Sequence, residues 1–177
     1  HGTHVAGLVA LAAPGAKIVP LRVLDAAGQG NAWVLAEAML YAVDPDSNPQ
    51  TNDGAQVINM SLGGPGACDA VMQSEIDGIV SRRTVVVVAA GNSGEDTAYF
   101  SPANCANVIN VGASTYQGGK AYYSNYGPLV DIAAPGGSGV GAEAEASERD
   151  RGNASSGDER FHEERGHASI DDGSDAE

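Results

Sequence analysis

The chain is predicted to be an α/β protein, three-layered around a mostly parallel central sheet. Three observations carry this. Short β-branched runs alternate with stretches of helical apolar spacing. One run, residues 85–90 (VVVVAA), is continuously apolar, as in a parallel strand covered on both faces. The apolar residues, 42% of 177, are concentrated ahead of Pro135-Gly136, so the core belongs to the first three quarters of the chain.

In order, residues 1–12 set Val5, Leu8, Val9 and Leu11 among small residues and stop at Pro14-Gly15; a short, mostly buried helix is expected. Residues 17–24 (KIVPLRVL) read as a strand and 25–30 (DAAGQG) as a loop. Asn31 is placed to cap a helix over 32–43, with Trp33, Leu35, Ala36, Met39, Leu40 and Val43 as apolar positions. Residues 44–54 (DPDSNPQTNDG) form a polar loop, and 56–61 (QVINMS) the next strand. The turn at 63–66 leads to a helix at about 69–82, whose apolar side is Val71, Met72, Ile76, Ile79 and Val80. After the 85–90 strand come a Gly/Asn/Ser loop and a strand at 108–111, then shorter strands at 121–123 and 130–133. Crossovers between parallel strands should be right-handed.

Composition divides the chain into residues 1–136 and an acidic tail, 137–177. Residues 1–135 hold 5 Lys/Arg against 11 Asp/Glu, a net of −6; residues 136–177 hold 4 against 12, a net of −8. From residue 137 onward the only large aliphatics are Val140 and Ile170, and the only aromatic is Phe161. Such a segment buries too little apolar area to offset its ordering entropy, so disorder is expected. The acidic balance opposes binding of nucleic acid or anionic lipid by charge. No run of 18 apolar residues exists, so no membrane-spanning helix is expected. The two cysteines, Cys68 and Cys105, are compatible with one disulfide and equally with two buried thiols.

Three strings carry chemistry, and a fourth is structural. His1-Gly2-Thr3-His4-Val5-Ala6-Gly7 puts an imidazole at a helix start. Asn59-Met60-Ser61-Leu62-Gly63-Gly64 ends a strand in a glycine turn. Val86-Val87-Val88-Ala89-Ala90-Gly91-Asn92 delivers an amide at the carboxyl end of a buried strand, where open α/β sheets place their sites. Val130-Asp131-Ile132-Ala133-Ala134-Pro135-Gly136 closes the apolar region. In this order, and with Ser101-Pro102-Ala103-Asn104-Cys105 and Tyr123-Ser124-Asn125-Tyr126-Gly127 between the last two, they resemble the subtilisin-like serine proteases, the subtilases. The resemblance covers about residues 1–136 and implies a subtilisin-like α/β fold, of which this chain would hold an incomplete part.

The resemblance implies roles. His1 would be the general base and Asn92 the oxyanion donor. Removal of such a donor raises the barrier by about 2.7–4 kcal/mol, a magnitude established for a subtilisin asparagine itself. Ser61, Leu62 and Gly63 would pair with substrate, opposite Gly28, Gln29 and Gly30, since an exposed edge with glycine admits an extended peptide. Ala89, Ala90 and Gly91 would wall a roomy apolar specificity pocket. Cysteine-bearing secreted relatives imply a Cys68–Cys105 disulfide, worth roughly 3–4 kcal/mol in the chain-entropy view. Protein or peptide substrates, a monomer, and an extracellular location follow from the same resemblance; catalysis needs no cofactor, and structural calcium is compatible with the family though no site is identified.

Two triad members are not found. The family's Asp lies upstream of its His motif, and a Gly-Thr-Ser-Met-Ala helix start should follow residue 136; Ser138, Ser155 and Ser156 lack those flanks. The chain is therefore expected to be part of a longer secreted serine endopeptidase, to expose apolar sheet surface, and to be inactive as it stands. A non-catalytic peptide-binding pseudoprotease is the rival reading. Three lesser patterns fail. His1 and His4 lack a third metal ligand nearby. His162 and His167 are one residue too far apart for a zincin motif. Asp44, Asp46 and Asn48 start like a calcium loop, but Pro49 and Ala55 stand where glycine and the bidentate Glu are needed. No metal site is assigned.

Overall fold

The structure, a computed structural model, describes residues 1–48 and 50–137. Two units separate by contact, His1–Gly137 and Ser138–Glu177. The second, with the disorder expected of it, the His162/His167 pair and Ser138, Ser155 and Ser156, lies outside the described residues.

The first unit is built on a four-stranded parallel sheet, in the order β1 (Val57–Met60), β3 (Val85–Ala89), β5 (Ile109–Ser114), β6 (Ile132–Pro135). Register sets Val57 beside Val85, Val87 beside Ile109, and Val111 beside Ile132. A small antiparallel pair, β2 (Gly64–Pro65) with β4 (Phe100–Ser101), lies beyond the main ladder.

Helices α2 (Ala32–Val43) and α3 (Ala70–Ser81) pack on each other, and α3 packs on β3. Both start where a capping side chain satisfies orphan amides. Asn31 Oδ1 accepts from the Val34 amide at 3.0 Å. Asp69 Oδ1 accepts from the Val71 and Met72 amides at 2.9 and 2.8 Å. Met39, Met72, Ile76 and Ile79 are buried with Met60, Val86 and Val88, every second residue of two adjacent strands. Full burial of each of the two valines is worth roughly 1.5–3 kcal/mol. Cys68 and Cys105 are disulfide-bonded, Cα–Cα 5.2 Å, so the start of α3 is stapled to the segment after β4.

The other sheet face is open. Val57, Val85, Ile109 and Ile132 point away from the helices by strand alternation, and Val57 and Ile132 are 57% and 54% exposed. The apolar surface expected from the sequence is therefore present, and the run at 85–90 is covered on one face rather than two.

Four local expectations are corrected. Residues 17–24 form no ladder; they run irregular, exposed up to Arg22 and half-buried at Val23 and Leu24, because no strand among the described residues lies alongside to accept their backbone groups. Residues 121–123 form a turn, closed by the Ser124 amide donating to Ala121 O at 3.0 Å. The last strand begins at Ile132 rather than 130, because the Val130 amide closes a turn onto Gly127 O at 3.2 Å. Helix α1 (Gly2–Ala12) forms where expected but has no buried residue, and Leu11 is 80% exposed, since nothing packs closely on its apolar side.

Candidate active site

Parallel pairing puts the carboxyl ends of β1 and β3 side by side, Met60 level with Val88. The chain leaving β1 is Ser61-Leu62-Gly63, and that leaving β3 is Ala90-Gly91-Asn92. Two strings about thirty residues apart in sequence thus meet at one edge, the edge where α/β sheets present functional groups.

His1 reaches the same edge. It is the N-cap of α1, and its Nε2 lies 2.9 Å from the Ser61 carbonyl oxygen. A carbonyl only accepts, so the ring carries a proton on Nε2 in this contact. To take a proton at that nitrogen, the imidazole would first have to shift to the other tautomer and release Ser61. Asn59 Nδ2 donates to Ser61 Oγ at 2.9 Å, which occupies the Ser61 hydroxyl as well. Gly63 runs so close to β4 that a Cβ there would sit 2.9 Å from Ser101 O. A glycine is needed for that approach.

Asn92 is exposed and has no hydrogen-bond partner among the described residues. Its amide is free to donate. The preceding Gly91 adopts φ 108°, a region that L side chains rarely enter. Ala90 is buried, while Ala89 and Gly91 are half-buried. Sequence reasoning missed what lies beneath this loop. Asn125, fully buried, bonds to Ala90, Gly91, Ser93 and Glu95. The available signal was Asn125 itself, a polar residue in the 123–127 string (YSNYG), but nothing in its spacing says which loop it supports.

Gly28, Gln29 and Gly30 sit in an exposed loop rather than on a paired strand. The Asp25 amide donates to Gln29 O at 2.8 Å, and Asp25 Oδ1 accepts from the amides of Ala27 and Gln29 at 2.8 and 2.9 Å. This closed loop keeps both Gln29 backbone groups occupied.

Asp44, Asp46 and Asp53 bring one carboxylate oxygen each within 4.8 Å of one another. They lie on the loop entering β1, at the amino edge, away from His1 and Asn92. Asp44 Oδ2 pairs with Arg82 at 3.1 Å, and Asp46 Oδ1 accepts from the Asn48 amide and Thr51 Oγ1. The group serves the loop's own turns.

A family model described as the subtilase family matches residues 1–168, a span that runs past the compositional break at Gly136. The chain belongs to the subtilase family, a class of serine proteases. An extracellular protease of Xanthomonas campestris is 49% identical over 150 residues, covering 78% of this chain and 26% of that protein. An extracellular basic protease of Dichelobacter nodosus is 40% identical over 148 residues, covering 77% and 24%. Among solved structures, a protease of Pseudoalteromonas arctica superposes with TM-score 0.64 at 44% identity, covering 71% of this chain and 37% of its own. The chain thus spans about a quarter of the length of these two curated relatives.

Proposed function

We propose that this chain is the middle portion of a secreted serine endopeptidase that hydrolyses peptide bonds through an acyl-enzyme. In this reading His1 is the general base and Asn92 donates to the oxyanion. Ser61, Leu62 and Gly63 pair with the substrate backbone on one side, and Gly28, Gln29 and Gly30 on the other, after the latter loop opens. Ala89, Ala90 and Gly91 line the pocket for the substrate side chain. The substrates are proteins or peptides, the enzyme is a monomer, and catalysis uses no cofactor. Names of two relatives, both extracellular proteases, support secretion.

The observation that carries the reading is the meeting of His1 with Ser61 at 2.9 Å, on the edge where β3 delivers Asn92. A serine protease needs a base, an oxyanion donor and an extended-peptide platform close together. The nucleophile and the orienting carboxylate are supplied by residues outside the matched strings. No Gly-Thr-Ser segment occurs in the 177 residues, so the chain alone is inactive in this reading. The rival reading is a peptide-binding pseudoprotease, which keeps the substrate edges without the nucleophile.

The complete coding sequence separates the two. Its product should cleave a fluorogenic peptide, and His1→Ala should lower kcat by about 10⁶-fold, the size known for the base in subtilisin. A complete product that binds peptides without cleaving them selects the pseudoprotease. A serine-directed phosphonate should leave the 177-residue chain unlabelled; covalent labelling would refute its inactivity.

A further inference from the structure

Asn92 is set on a loop whose other members are tied down. The Ser93 amide donates to Asn125 Oδ1 at 2.9 Å, and the Glu95 amide to the same oxygen at 3.2 Å. Asn125 Nδ2 donates to Ala90 O at 2.9 Å, and the Asn125 amide donates to Gly91 O at 3.0 Å. The Gly94 amide donates to Tyr123 O at 2.7 Å. Asn92 is the one residue of 91–95 outside this set.

Asn125 is 1% exposed, and both polar atoms of its side chain are hydrogen-bonded to this loop. A carboxylate here would face the Ala90 carbonyl with an acceptor, and an apolar side chain would leave the buried Ala90 carbonyl and the part-buried Ser93 and Glu95 amides without this partner. The fit also works from the other side. A Cβ on Gly91 would collide with Asn125 Nδ2, so Gly91 and Asn125 occupy one shared space. A short amide side chain reaches both flanks of Asn92, where Ser or Ala could not.

We propose that Asn125 is a positioning residue that locks the 90–95 loop and thereby aims the Asn92 amide at the oxyanion. The proposal rests on the reading of Asn92 as oxyanion donor. Preorganised donors act because they need no rearrangement as charge develops, so a donor on a loosened loop loses most of its effect. A displacement of about 1 Å can cost about 10²-fold in rate.

The test uses the complete gene product containing this chain, assayed on a fluorogenic peptide, with amide exchange followed on the same preparations. Asn125→Ala is expected to lower kcat by about 10²-fold with little change in KM, and to speed exchange at the Ser93 and Glu95 amides. In an Asn92→Ala background the same substitution should lower kcat by less than about threefold, because the group it positions is gone. Asn125→Asp keeps the shape and the Oδ1 acceptor but turns a carboxylate oxygen onto the Ala90 carbonyl, so it too should lower kcat with little change in KM. It also serves if the alanine variant fails to fold. Thr84→Val is the matched control, since Thr84 is also buried but its hydroxyl donates to Ala55 O, ahead of β1 and away from this loop. It should lower the melting temperature and leave kcat intact.

Equal loss of kcat from Asn125→Ala with and without Asn92 would overturn the proposal, as would unchanged exchange at Ser93 and Glu95. Wild-type kcat in Asn92→Ala alone would sink the oxyanion reading, and the positioning role with it. Accelerated exchange in Asn125→Ala would then show that the loop lock itself had been read correctly.

Discussion

Gly91 carries no side chain, yet two constraints converge on it. Its φ of 108° suits glycine, and a Cβ would strike Asn125. Gly91→Ala should therefore destabilise by roughly 1–3 kcal/mol, as strained backbone does, and chemical denaturation would measure it. Glu75 poses a different residue-scale problem. Burial first, then the charges of Asp69 and Glu37, hold its carboxyl above the ordinary range. The folded state thus binds this proton more tightly than the unfolded chain does. Its contribution is fully present below the ordinary carboxylic pKa and is lost as pH rises through the folded value. Glu75→Gln should flatten that part of the stability–pH curve and leave the protein more stable at neutral pH. Melting temperatures measured at several pH values would show it.

At the scale of elements, α3 is the best-determined piece. Its apolar side, Met72, Ile76, Ile79 and Val80, follows from spacing alone and faces inward as predicted, while Val71 of the same set is exposed; its cap, Asp69, is disclosed by the structure. The staple beside it was left open by the cysteine count alone, was implied by the family resemblance, and is formed in the structure. Cys68 and Cys105 are 37 residues apart in sequence but 5.2 Å apart between Cα atoms. Replacing both with Ser should cost about 3–4 kcal/mol, the loop-closure value for this separation, read as a shift in the urea midpoint. Strands were less legible than helices. The 17–24 run has the β-branched composition of a strand, but a strand needs a neighbour, and neighbours are not a local property. The 121–123 run failed in the same way: it turns because the Ser124 amide closes back on Ala121 O.

For the molecule as a whole, the open sheet face is the dominant feature. The His1–Gly137 unit buries one face of its sheet under α2 and α3, while Val57, Val85, Ile109 and Ile132 of the opposite face stay in contact with solvent. Such a continuous apolar surface exceeds the scattered exposure that monomers usually show. The 177-residue chain should bind a hydrophobic dye strongly and scatter light at micromolar concentration. Replacing Val57 and Ile132 with Thr should reduce both signals while preserving the far-UV spectrum. A dye signal no greater than that of an ordinary folded enzyme would contradict the open face.

The division between sequence and structure follows from the range of the forces involved. The fold class, the positions of α1, α2 and α3, the Asn31 N-cap, the central strand and the family were all determined by the sequence, because capping, periodicity and a contiguous motif are local. Tertiary structure decided the rest. It brought His1 to Ser61 across sixty positions, set Asn125 under the Asn92 loop, joined Cys68 to Cys105, and left α1 and one sheet face uncovered. Each of those outcomes depends on which surfaces meet, and a hydrogen bond or a packed face records its partner only in three dimensions.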